Sequence, residues 1–219
     1  MQRLHYRFGI VLTLIIVTLG FQLAAPDGNV ARLISVTLQA GTLVAAVIAS
    51  RAHPWVIRLS VLVALAGVAA AVATLVGTSE FSRGGAGAVA LVYILLTPPA
   101  LVLGLRKHFG EAGGVTLQTM FGVLCLYLLV GLLFSFAYGA VDFYSDTPFF
   151  STGVDERGDF LYFSFTTLTT VGYGDLVAAT DVGRSLAITE ALVGQIYLVT
   201  VVAVIVGNLR PAGRRRASG

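Results

Sequence analysis

Runs of about 20 apolar residues recur along this chain, and that is the length a helix needs to cross the hydrocarbon core of a bilayer. Inside lipid every backbone N–H and C=O must be satisfied within the protein, so such runs have one local solution, the α-helix. Of the 219 residues, 57% are hydrophobic and only 11% charged, with a mean hydropathy of +0.89. A soluble domain carries about a quarter charged residues. The sequence therefore predicts an all-α, polytopic membrane protein.

Six spans are expected, at about Phe8–Ala24, Leu33–Ser50, Val56–Gly77, Ala88–Leu105, Val115–Ala140 and Gly183–Asn208. The first could be read as a secretory signal, since Arg3 and Arg7 precede it and Leu23-Ala24-Ala25 is small-residue-like. It is longer than a usual signal core, however, and Pro26 stands where cleavage would fall, so a retained helix is expected. Pro26-Asp27-Gly28-Asn29 and Thr78–Gly87 have turn and loop composition. Trp55 is placed as an interfacial anchor, and Pro98-Pro99 should kink the fourth helix.

Six spans put both termini on one side. Ten of the fourteen Lys and Arg fall there: Arg3, Arg7, Arg51, Arg58, Arg106, Lys107, Arg210, Arg214, Arg215 and Arg216. Basic residues mark the cytoplasmic side, so both termini are expected to be cytoplasmic in a multi-pass cell-membrane protein. The net charge of +3 is then a topology signal and not a nucleic-acid surface. The basic tail, residues 210–219, reads as a stop-transfer flank that also faces anionic lipid of the bilayer. The single cysteine, Cys125, cannot form an intrachain disulfide and is expected as a free core thiol; no Cys/His cluster suggests a resident metal.

One stretch does not fit a helix. Thr169-Thr170-Val171-Gly172-Tyr173-Gly174-Asp175 is polar and glycine-rich, and it lies between the last two spans. Irregular backbone at membrane depth is tolerated only where protein buries it or where it lines a watery path. Ahead of it, Phe160–Thr169 is too short to cross. We read it as a short helix entering from the outer side, with Asp159 as its N-cap and its negative C-terminal end pointing at the membrane centre. Phe160-Leu161-Tyr162-Phe163 is equally compatible with an interfacial aromatic belt. In the loop, Gly172 and Gly174 permit dihedrals that turn successive carbonyls toward one axis, while Val171 and Tyr173 can pack outward. A dehydrated cation needs such a shell of neutral oxygens, and the Thr170 hydroxyl adds one more at the inner end.

The string Thr-Val-Gly-Tyr-Gly-Asp, preceded by Thr166-Thr167-Leu168-Thr169, resembles the selectivity filter of potassium channels. The resemblance covers about Val115 to Asn208. It implies the two-helix pore unit: outer helix, turret, pore helix, filter and inner helix over residues 109–209, here preceded by a four-helix domain over residues 1–108. One filter per chain implies a homotetramer. The carbonyls of Thr170, Val171, Gly172 and Tyr173, with Gly174 completing the loop, would bind K+ as the permeant ion, and no other cofactor is implied. Asp175 matches the family's aspartate behind the outer mouth. Tyr173 favours K+ selectivity over a non-selective pore. Thr166 departs from the commonest bacterial pattern, in which an acid can stand there.

Around the filter, Asp142, Asp146, Asp155, Glu156, Asp159, Asp175 and Asp181 are all expected on the outer side, either concentrating cations or simply solvating a turret. Gly194 falls at the family's inner-helix hinge, with a packing glycine as the competing explanation. Gln195 and Thr200 are candidates for the cavity. Glu190 is an acid inside a span, where such residues are functional or paired. We expect it behind the pore helix, bonded to filter-supporting hydroxyls such as Thr166 or Thr167; a proton sensor is the alternative.

Six spans also fit voltage-gated channels, but Ala88–Leu105 carries no repeated Arg or Lys, so steep voltage gating is not expected. Only a short tail follows Asn208, so no cytoplasmic ligand-binding domain is expected there. Gly84, Gly87 and the Ala-rich third span suggest close helix packing and a scaffold or tension-sensing role; His5, His53 and His108 are weak candidates for pH sensing. No nucleophile–base constellation suggests an enzyme. The rivals are a non-selective cation channel of the same fold and a transporter subunit, and the absence of an internal repeat counts against the second.

Overall fold

A computed structural model describes residues 7–24, 28–76, 92, 95–106, 116–152 and 157–208. The Thr78–Gly87 loop, the start of the fourth span, Lys107, Asp155, Glu156, His5, His108 and the basic tail lie outside the described residues. Seven helices follow one another in the rest: α1 Arg7–Ala24, α2 Asn29–Ala49, α3 Pro54–Val76, α4 Leu95–Arg106, α5 Leu117–Tyr144, α6 Arg157–Leu168 and α7 Asp181–Asn208. Four are long and apolar enough to cross a membrane: Asn29–Ala49, Pro54–Val72, Gln118–Tyr144 and Asp181–Val204. The other two expected spans are represented by the shorter apolar helices Phe8–Ala24 and Leu95–Arg106.

Several boundaries differ from the sequence reading, each for a local reason. α5 starts under a capping box: the Thr116 hydroxyl accepts from Thr119 N–H, and the Thr119 hydroxyl accepts from Thr116 N–H. It runs on to Tyr144, four residues past the expected end, so Asp142 sits in its last turn instead of in the turret. There Asp142 Oδ1 accepts from Phe149 N–H at 2.9 Å and ties the following loop back to the helix. α6 begins at Arg157, so Asp159 lies inside its first turn and is not the N-cap; its charge still suits the positive helix end. α7 begins at Asp181, two residues early, with Gly183 N–H donating to the Thr180 hydroxyl.

In lipid the large apolar side chains are already comfortable outside, so helices meet through small and polar residues. α2 shows this inversion. Its buried face is Ser35, Val36, Gln39, Ala40, Thr42, Leu43, Ala46, Val47 and Ala49, at helical spacing. α4 approaches the end of α2 so closely that a Cβ on Gly104 would stand 2.6 Å from Ser50 Cα.

Three packed clusters set the scaffold. One joins α1, the end of α2, α4 and α5, through Val11, Ile15, Ala46, Leu101, Cys125 and Leu129, and reaches Leu161 of α6. A second lies between α2 and α3. The third is aromatic: Tyr138, Phe149, Phe150, Phe160 and Phe163 with Ala178. It fixes α6 against α5 and against the loop beyond the glycine-rich stretch. Around it, Ser151 N–H donates to Val177 O at 3.0 Å and Ala179 N–H to Phe149 O at 2.8 Å, so the segments before α6 and before α7 are stitched together. α6 has 12 residues, roughly 18 Å of helix, well short of a bilayer core. It packs on both α5 and α7.

Candidate functional site

The site begins where α6 stops. A helix end leaves carbonyls without partners, and here the chain folds back to use them. Thr169 N–H and hydroxyl both donate to Phe165 O, at 3.1 and 2.6 Å. Val171 and Gly172 N–H converge on Thr166 O at 2.9 and 3.1 Å, and Thr170 N–H donates to Thr167 O at 2.9 Å. Leu168 O accepts from the Tyr127 hydroxyl of α5 at 3.2 Å. The first N–H groups of the loop are thereby turned toward α6.

The carbonyls of the same residues are free. Thr170, Gly172 and Gly174 have φ of 59°, 52° and 81°, whereas Val171 and Tyr173 between them do not have positive φ. When neighbours take φ of opposite sign, successive carbonyls line one side instead of alternating as in a strand. Among the described residues, no donor reaches the carbonyls of Thr170, Val171, Gly172 or Tyr173. All residues from Thr169 to Asp175 are exposed on the single chain. Thr170 is the costly member: a side chain at positive φ costs about 1–2 kcal/mol. Its hydroxyl accepts from Gln195 Nε2 at 3.2 Å, so α7 supports the strained residue.

The outer end of the loop is held from α6. Tyr162 O–H donates to Asp175 Oδ2 at 2.8 Å, and its ring stacks on Tyr173, with centroids 6.4 Å apart and planes 6° apart. That hydrogen bond, helped by the Leu176 N–H, holds the Asp175 carboxyl below the usual carboxylate range. The same bond pushes the Tyr162 phenol above its ordinary value. Tyr162 was missed in the sequence, where it read as part of an aromatic belt. The available signal was periodicity: Tyr162 and Thr166 are one turn apart, so they share the face of α6 that the loop folds against.

Behind α6 lies Glu190, fully buried. Its Oε2 accepts from the Tyr138 hydroxyl of α5 and its Oε1 from the Ser164 hydroxyl of α6, both at 2.5 Å. Ser164 Oγ also lies 2.7 Å from Gly131 O, and its one proton serves one acceptor at a time. The position behind the short helix is as expected, but the partners are not Thr166 and Thr167. The Thr166 hydroxyl instead donates to Phe163 O in its own helix, and one helical turn separates Ser164 from Leu168 just as it separates Glu190 from Gly194. At that second contact a Cβ on Gly194 would stand 2.6 Å from Leu168 O. Gly194 therefore allows close packing of α7 on α6, the second of its two readings. Tyr197 rounds off the face, donating to Val123 O of α5. Gln195 points at the loop, whereas Thr200 is exposed roughly 140° further around α7.

No curated protein and no solved structure matches the chain. Residues 122–210 match a family model described as ion channel. The matched residues comprise most of α5 with α6, the glycine-rich loop and α7, and with the apolar helices they support an ion channel function in a membrane protein.

Proposed function

We propose that the chain is one subunit of a potassium-selective channel that conducts K+ passively through a homotetrameric pore. One observation carries this reading: from Thr170 to Tyr173 the N–H groups that are bonded point to α6, while a row of carbonyls is left without donors by the alternating sign of φ. Four such rows around an axis would give a cation a neutral oxygen shell in place of water, with sites at Thr170, Val171, Gly172 and Tyr173. Asp175, Thr166 and Glu190 then act as supports, and the negative C-terminal end of α6 favours a cation below the row.

A fourfold pore would also cover part of the α7 surface that a single chain leaves open. Ile188, Leu192, Ile196, Val199 and Val202 form an exposed apolar stripe along α7. Arg106 stands only at the end of the described part of α4, which fits a pore without a voltage sensor of the charged-helix kind. In this reading the termini are cytoplasmic and the filter mouth, with Asp142, Asp146 and Asp175, faces outward.

The test is reconstitution of the purified chain into liposomes, with reversal potentials measured in K+ against Na+. A potential that follows the K+ gradient supports the proposal. A reversal near zero on ion exchange points to a non-selective pore, and saturable gradient-coupled exchange points to a transporter.

A further inference from the structure

The contact between Gln195 and Thr170 joins α7 to the inner end of the loop. It exists because Gly194, the preceding residue, lets the α7 backbone lie against Leu168 O. The side chain of Gln195 then reaches Thr170, and its amide donates to Oγ1 at 3.2 Å. Thr170 already carries a strained φ of 59°.

A hydroxyl oxygen has two lone pairs. One is used by the Gln195 amide, which leaves less of the oxygen for a cation. The amide hydrogens are the positive end of a dipole, and they stand beside the place where that cation would sit. The Gln195 side chain is exposed, and among the described residues its Oε1 has no donor, so the negative end remains free. In a fourfold assembly four such dipoles would surround the innermost oxygen ring.

We infer that Gln195 is a specificity-determining residue of this pore: its amide weakens cation binding at the Thr170 hydroxyl and so limits occupancy of the innermost site by tightly bound divalent ions. This rests on the proposed channel reading. It concerns a residue of α7, outside the row of carbonyls, and it gives the sign of an effect. Removing the donor strengthens the innermost site; it does not weaken it.

Ba2+ applied from the inner side, in planar bilayers holding the full chain in symmetrical K+, reads that site. Gln195→Met keeps the side-chain length and removes both donors. Loss of one neutral hydrogen bond should lower the half-blocking Ba2+ concentration by about tenfold, with slower unblocking. The same change on a Thr170→Cys background, where the hydroxyl is gone, should have no further effect. Gln195→Leu serves as a second variant, and assembly of both is checked by size-exclusion chromatography. Calorimetric Ba2+ binding to the detergent-solubilised variants gives the same comparison without current. Block and binding within twofold of wild type in both variants overturn the inference while leaving the channel reading intact, as does weaker block. Wild-type protein that passes K+ and Na+ alike and is insensitive to Ba2+ overturns the potassium-selective reading and this inference with it.

Discussion

Helices α2 and α7 are both apolar and both long enough to span, yet they are used in opposite ways. α2 has 44% of its most apolar stretch buried inside the chain, α7 only 11%. α2 finds its neighbours, α1 and α3, within the same subunit, through a face of small and polar residues. α7 meets α5 and α6 on one side and leaves Ile188, Leu192, Ile196, Val199 and Val202 exposed. α2 therefore does its packing inside the subunit, whereas most of α7 is left for lipid or for the neighbouring subunits of the proposed pore. The contrast is between these two helices and not between two halves of the chain, since α3 also leaves Leu59, Leu62 and Leu65 exposed.

The largest effect should come from breaking the loop itself. Nothing crowds Gly172, so a side chain there would meet only the backbone requirement, φ of 52°. Gly172→Val sets a β-branched residue in that region, at about 1–2 kcal/mol or more per subunit. In the proposed tetramer the four subunits together would correspond to a loss of nearly a thousandfold or more, since each 1.4 kcal/mol is tenfold (~4 kcal/mol in all). The measurement is K+ flux into liposomes, with assembly checked separately. Retained selective flux would show that the alternation at Gly172 is not what aligns the carbonyls.

Next in size is a paired comparison of two buried polar residues. Glu190→Leu leaves the buried Tyr138 hydroxyl without its acceptor, at about 1–3 kcal/mol, while the Ser164 hydroxyl keeps Gly131 O. Gln39 of α2 is 5% exposed and lines a small cavity with Thr18, Thr42 and Thr97, and among the described residues neither its Nε2 nor its Oε1 has a partner. Gln39→Leu should therefore be neutral or stabilising. Thermal denaturation in detergent, followed by tetramer retention, separates the two. Equal destabilisation by both variants would remove the distinction between a bonded clasp and an unbonded amide.

Smaller still is the difference between two glycines at close approaches. A Cβ would stand 2.6 Å from backbone at both Gly104 and Gly194. Overpacking costs about 1–3 kcal/mol in either place. Gly104→Val should lower stability and leave selectivity unchanged, because it separates α4 from α2. Gly194→Val should do the same to stability and also raise Na+ permeation, because it pushes α7 off Leu168 and carries Gln195 away from Thr170. If Gly194→Val leaves selectivity unchanged, α7 does not support the loop.

How much of this could be read from the sequence follows from the range of each signal. The four helices long and apolar enough to cross a membrane were legible because run length is a one-dimensional property. The loop was legible because Gly172 and Gly174 alternate with larger residues, and that pattern survives into the φ values. Glu190 was visible as an acid in a span. Its partners were not, because Tyr138 and Ser164 lie 52 and 26 residues away and become neighbours only after three helices have packed. Thr166 and Thr167 precede the loop directly in sequence, but Thr166 spends its hydroxyl on a carbonyl three residues back. The Asp159 boundary failed for a different reason: a helix start is fixed by a few local bonds, and the helix simply begins two residues earlier.

The smallest expected effect tests whether the outer end of the loop is held as the inner end is. Tyr162 donates to Asp175 and holds its carboxyl below the usual range. For an acid with a depressed value in the folded protein, the interaction is in full force above the ordinary carboxylate range and is lost as pH falls through the lower folded value. External acidification should therefore leave wild-type current unchanged through neutral and mildly acid pH, and reduce it only below the ordinary range of aspartate. Tyr162→Phe keeps the ring that stacks on Tyr173 and removes the donor. It returns Asp175 upward toward its ordinary value, so the acid loss should begin at higher pH. Both groups are exposed on the single chain, so the current at neutral pH should change by less than about twofold. A pH–current curve that does not move in Tyr162→Phe would mean that Asp175 is held at the mouth by something other than Tyr162, and that the two ends of the loop are supported on different principles.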